Sequence, residues 1–135
     1  MVIVAVLVGI VAVATALGLL WKNTTGRVRR SHGEAAEFVS GDTTLLQFST
    51  DYCAPCAQAH VTLDGIAREY GIGYVDVNVT ERPDLANRFN LLQSPTTLIL
   101  DANGAIRARI GGAPRPADIR AELNRLTTSR LDRAA

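Results

Sequence analysis

From Val2 to Leu20 the chain carries no charged side chain, and only Gly9, Thr15 and Gly18 interrupt a run of Val, Ile, Leu and Ala. As a helix with a rise of ~1.5 Å per residue, such a run spans roughly 28 Å, close to the ~30 Å hydrocarbon core of a bilayer. Trp21 and Lys22 follow at once, an aromatic and a cation suited to the headgroup level. The competing assignment is a buried core helix. A chain of 135 residues lacks the mass to surround such a helix on all sides. Residues 1–21 are therefore predicted to be a transmembrane anchor. No cation precedes the run and it is longer than the usual apolar core of a secretory signal, which favours a retained single-pass anchor over a cleaved leader.

Charge around the run sets the expected orientation. Lys22, Arg27, Arg29 and Arg30 lie just after it, and no Lys or Arg lies before it. The positive-inside rule places that flank, and the domain beyond it, in the cytoplasm; an extracytoplasmic domain is the alternative. Residues 22–33 are polar, lack apolar periodicity and are expected to form a basic juxtamembrane linker able to touch anionic headgroups. Formal net charge is only +1, so composition gives no argument for nucleic-acid binding. Two cysteines exclude a disulfide-rich scaffold and a four-cysteine zinc site.

Residues 34–131 are predicted to form one globular domain. Glu34 to Val39 is expected as a short helix before Ser40-Gly41, and Thr44 to Ser49 as a buried strand. From Cys53, small or apolar residues at Cys56, Ala59, His60, Leu63, Ile66, Ala67 and Tyr70 recur at helical spacing up to Gly71. Gly73 to Val79 alternates as a strand, and Pro83 to Phe89 is a short helix with Asn90 suited to a left-handed cap. Thr96 to Asp101 and Ala105 to Ile110 form a hairpin, broken by Gly111-Gly112. Pro116 to Thr127 is an amphipathic helix. Strand–helix–strand followed by a hairpin implies a mixed sheet with helices on both faces.

The chemistry sits at Tyr52-Cys53-Ala54-Pro55-Cys56, where a buried strand gives way to a helix. This spacing at a helix start can bring two sulfurs within bonding distance. The first sulfur lies where unpaired backbone N–H groups and the helix dipole stabilise a thiolate, the attacking species in disulfide exchange. Cys53 is thus the expected nucleophile and Cys56, one turn deeper, the resolving thiol. Pro55 fixes its φ and lacks an N–H, which stiffens the loop between the sulfurs. A purely structural disulfide is the other reading of the pair. A metal site is not expected, because His32 and His60 do not complete a ligand spacing with the two cysteines. His60 alone is read as a partly buried packing residue.

The span from Thr44 to Leu126 resembles the thioredoxin family. The C-A-P-C motif follows the strand LLQFS as the family's C-G-P-C does, and Ser94-Pro95-Thr96 looks like the family's cis-proline segment. The resemblance implies an α/β, thioredoxin-like fold (a mixed central sheet flanked by helices) preceded by one transmembrane helix. It implies that Pro95 is cis and lies against the sulfurs, that Ser94 offers backbone groups to an incoming strand, and that Gly111 is the family's glycine after the hairpin. Tyr52 would form part of the apolar surface around the sulfur. Three departures stand out. Tyr52 replaces a Trp, Ala54 replaces a Gly, and the family's buried acid six positions before the first cysteine corresponds to Gln47. The family's first strand has no evident counterpart, since the linker occupies its place.

The expected function is that of a membrane-tethered thiol–disulfide oxidoreductase, reducing protein disulfides through Cys53 and Cys56 without a bound cofactor. Its electrons would come from a reductase or another dithiol protein. A docking module that reuses the fold with little redox activity is the second reading.

Overall fold

The structure is a computed structural model and describes residues 1–24, 26 and 28–135. Arg27, one of the four cations in the expected basic flank, lies outside the described residues. Helix α1 (Val2–Thr24) follows from the uncharged run and extends past it by about a turn. It is the one described helix long and apolar enough to cross a membrane, and the side chains of Val2–Asn23 are all exposed rather than packed against the rest of the chain.

The stretch expected to be linker contains strand β1 (Val28–Arg30), paired antiparallel with the last strand of the sheet. Three residues reading Val-Arg-Arg are too few to show a period, so the strand left no pattern to find. Its place is the sheet edge opposite β3 (Gly73–Asn78). The expected helix at Glu34–Val39 shortens to a single 3-10 turn, Ala36–Phe38. Strand β2 (Thr44–Ser49) runs parallel to β3, and helix α2 (Ala54–Tyr70) makes the crossover between them. Gly71, in the left-handed region at φ 63°, closes α2. Helix α3 (Pro83–Arg88) is capped at Phe89, and Asn90 just beyond takes the left-handed φ of 48°.

Strands β4 (Thr96–Leu100) and β5 (Ile106–Gly111) form the antiparallel hairpin, and β4 also pairs antiparallel with β2. Gly111 is the last residue of β5 rather than a breaker; the chain turns at Gly112, where φ is 83°. Helix α4 (Pro116–Ala134) outruns its amphipathic stripe, with Thr127, Thr128 and Ser129 bonding back to carbonyls four residues earlier. The sheet order is β1-β5-β4-β2-β3.

Both faces of β2 and β4 are covered, which is why Leu45-Leu46 and Leu98-Ile99-Leu100 stand side by side instead of alternating with polar residues. Leu45, Ile99, Ala108 and Ile110 pack against Leu63 and Ile66 of α2 and Ile119 and Leu123 of α4. Leu46, Phe48, Leu98 and Leu100 pack on the other face against Ala35, Leu85 and Phe89. A bulge opposite Ile99 and Leu100 lets Ile106 join this second layer while Ala108 and Ile110 stay in the first. Phe38, Phe48 and Phe89 form an aromatic cluster, with ring centroids 5.1–6.5 Å apart.

Candidate functional site

Strand β2 carries the chain out of the core at Ser49, and Cys53 occupies the N-cap of α2 with extended backbone. Pro55 sits in the first helical turn, where its missing N–H costs no intrahelical bond. Cys53 and Cys56 are joined by a disulfide, with sulfurs 1.97 Å and Cα atoms 5.3 Å apart. The two sulfurs differ in access: Cys56 is 6% exposed, whereas Cys53 is only partly covered. Once reduced, Cys53 meets the positive end of the α2 dipole, and Cys56 lies one turn inward.

Ser94–Pro95 is a cis peptide immediately before β4. The Pro95 carbonyl accepts from the Gly112 N–H at 2.8 Å, and Thr96 pairs with Gly111 across the hairpin. A Cβ on Gly111 would fall 1.9 Å from Nε2 of Gln93, in the loop leading to Pro95. Because β2 and β4 are antiparallel with Phe48 opposite Thr96, the end of β2 that leads to Cys53 and the start of β4 that follows Pro95 share one end of the sheet. Two large side chains on these loops stand in solvent, Tyr52 fully exposed and Leu92 86% exposed.

Beneath the disulfide lies a polar chain that periodicity did not reveal. Gln47 is fully buried; its Nε2 donates to the Cys56 carbonyl at 3.1 Å and its Oε1 accepts from the Tyr74 hydroxyl at 2.8 Å. Tyr74 in turn lies 2.9 Å from His60 Nδ1, which is 3.9 Å from a carboxylate oxygen of Asp76. The Asp76 carboxylate also accepts from the Ser49 hydroxyl at 2.8 Å. His60 is thus an exposed, hydrogen-bonded group stacked edge-on against Tyr74, not the packing residue its helical position suggested. Burial holds the Tyr74 phenol above its ordinary pKa, with the negative charges of Asp76 and Asp64 adding to the effect. One signal for this chain was available in the sequence: Gln47, a polar residue in an apolar strand, needs partners once buried.

A disulfide of this spacing at a strand–helix junction, beside a strand that follows a cis-proline, defines the thioredoxin-like class of dithiol proteins. A sequence model of the thioredoxin family matches residues 31–125, and the chain belongs to that family. It is similar to Thioredoxin H5 of Oryza sativa subsp. japonica, 30% identical over 93 residues that make up 68% of this chain and 62% of that protein. It is also similar to the thioredoxin of Mycolicibacterium smegmatis, 34% identical over 63% of this chain and 79% of the relative. Against Thioredoxin M4 of Arabidopsis thaliana, a chloroplastic protein, it is 29% identical but spans only 38% of that protein's length. Among solved structures, chloroplastic thioredoxin z superposes with a TM-score of 0.59 at 25% identity, covering 65% of this chain and 80% of that one.

Proposed function

We propose that this chain is a membrane-tethered thiol–disulfide oxidoreductase that reduces protein disulfides. The observation that carries the reading is the pairing of Cys53, at the N-cap of a 17-residue helix, with the buried Cys56. In the reduced protein the Cys53 thiolate attacks one sulfur of a substrate disulfide. A Cys53–substrate bond forms, the substrate S–S bond breaks, and the other substrate sulfur leaves as a thiolate. Cys56, deprotonated, then attacks Cys53; the intramolecular disulfide forms and the second substrate thiolate departs. Two electrons pass to the substrate, whose two thiolates take up two protons. A reductase or a dithiol protein returns the pair to its reduced state.

The remaining residues have positioning roles in this scheme. Pro55 stiffens the turn between the sulfurs, and Ser94 with Pro95 presents backbone to the substrate strand. Tyr52 supplies apolar contact, and Gly111 keeps space beside the Pro95 loop. Helix α1 holds the domain on the membrane, and the cations after it favour a cytoplasmic domain. Gln47 cannot accept the proton of Cys56, so resolution is slower than where a carboxylate occupies this place.

The test is a trapping experiment on the full chain in membranes. Cys56→Ser is expected to accumulate substrates as mixed disulfides on Cys53, released by reductant, and Cys53→Ser to abolish both trapping and disulfide reduction. A Cys53→Ser protein that retains its full cellular role would instead identify the domain as a docking module.

A further inference from the structure

Strand β1 ties the sheet to the anchor, and its direction decides which end of the domain meets the bilayer. Helix α1 ends at Thr24, and by Gly26 the chain already donates a backbone hydrogen bond, 2.8 Å, to the Gly111 carbonyl. Even fully extended, the three steps from Asn23 to Gly26 reach only ~10 Å. From Val28, opposite Ile110, β1 runs away from the anchor. The register then propagates across the sheet. Antiparallel pairing puts the end of β5, the start of β4 and the end of β2 at the same side as Val28. That side carries Pro95 and Cys53. With strands ~4.8 Å apart, β2 lies only roughly 14 Å across the sheet from β1.

A second attachment fixes the same end. Arg115 Nη2 donates to the carbonyls of Lys22 at 3.0 Å and Asn23 at 3.5 Å, placing a cation on the last turn of α1. The loop that holds Arg115 begins at Gly112, whose N–H binds the Pro95 carbonyl. Gly26, at φ 77°, closes the joint; a Cβ there would meet the Ala113 carbonyl oxygen at 2.3 Å. One short loop therefore touches both the anchor and the cis-proline. The exposed Tyr52 and Leu92 stand at this same end.

We infer that the dithiol face is held at the bilayer surface and acts on disulfides in the juxtamembrane segments of partners that are themselves membrane-embedded. This rests on the retained anchor and the exchange activity proposed above. The occupant follows from the reach of the tether. A disulfide close to the headgroups is presented continuously to Cys53, whereas one borne far above the membrane meets a sheet end turned away from it. Lys22 and Arg115 lie beside anionic headgroups in this arrangement, and Tyr52 suits the interface.

The test uses the full chain, pre-reduced and desalted, in phospholipid nanodiscs. Two single-span reporter peptides carry the same quenched disulfide, one at the headgroup level and one at the tip of a long rigid stalk; a soluble copy serves as a third substrate. The headgroup-level disulfide is expected to be reduced at least tenfold faster than the stalk-borne one. Inserting a flexible Gly/Ser segment of about 15 residues after Thr24, with an r.m.s. span of roughly 20 Å, together with Arg115→Ala to release the second attachment, is expected to erase that preference and leave the soluble rate unchanged. Equal rates at both heights in the unaltered chain, or a preference that survives the insertion, would overturn this inference while leaving exchange intact. Reduction of none of the three substrates would overturn the proposed function, and this inference with it.

Discussion

Replacing Gln47 by Asp restores an acid to the floor of the site and separates two consequences of its burial. Gln47 has no solvent exposure, and its amide bridges the Cys56 carbonyl and the Tyr74 hydroxyl. Asp is shorter by one methylene and has no N–H to donate. The lost bond to the Cys56 carbonyl costs about 1 kcal/mol and the lost buried methylene ~0.8 kcal/mol. The variant is therefore expected to be ~2 kcal/mol less stable, a fall in Tm of roughly 10 °C for a domain of this size. Burial raises the pKa of the new carboxyl above its unfolded value. The folded state then binds the proton more tightly than the unfolded one. The variant's deficit is smallest below the ordinary carboxyl range and grows as pH rises through the folded pKa.

Near neutral pH the same carboxyl is a base beside the Cys56 backbone. General-base assistance is worth typically ~10²–10⁴ when fully aligned. The bond that Gln47 makes goes to the Cys56 carbonyl, so a gain of about tenfold in resolution, short of full alignment, is the expected outcome. The assay mixes reduced protein with a disulfide substrate, quenches with acid and follows the Cys53 mixed disulfide by intact mass. A shorter-lived mixed disulfide in the folded variant supports the reasoning. An unchanged lifetime across the neutral range would refute the claim that the missing acid limits the second step.

Three further outcomes follow. Tyr74→Phe removes the hydroxyl that donates to Gln47 and contacts His60, and is expected to cost about 1 kcal/mol in urea unfolding. Asp101 accepts from the N–H groups of Asn103 and Ala105, both at 3.0 Å, and from Arg107; Asp101→Asn is expected to cost ~1–2 kcal/mol at neutral pH. Burial works against its charge, but Arg107 and the two N–H groups prevail and hold its pKa below the ordinary carboxylate range. This stabilisation is present above the unfolded pKa and lost as pH falls through the folded one, so the gap between wild type and Asn closes in acid, as urea midpoints will show. A membrane-impermeant thiol reagent on intact cells is expected to spare the reduced cysteines until lysis; labelling without lysis would place the domain outside.

Much of this architecture is legible in the residues because burial writes periodicity. The uncharged run from Val2, the doubly covered strands β2 and β4, and the left-handed residues Gly71 and Asn90 each announce a local structure with one physical cause. The dithiol stood out because two cysteines at that spacing beside a strand end have few other uses. Strand β1 was hidden for the opposite reason: Val28–Arg30 is held by backbone pairing with β5, which carries no side-chain pattern. The same holds for the last turns of α4, where hydroxyl side chains bond back to the helix rather than pack. Of the chain of Gln47, Tyr74, His60 and Asp76, only Gln47 stood out in the sequence. That chain joins three elements through a strand register that only the folded sheet supplies.

The thiolate character of Cys53 can be measured directly in the reduced protein, by following alkylation of each cysteine with iodoacetamide as pH is raised. Cys53 is expected to react first, with a midpoint below the ~8.5 of an ordinary thiol, while Cys56 stays protected. A Cys53 midpoint at or above the ordinary value, or faster alkylation of Cys56, would contradict the claim that the start of α2 makes the outer sulfur the nucleophile.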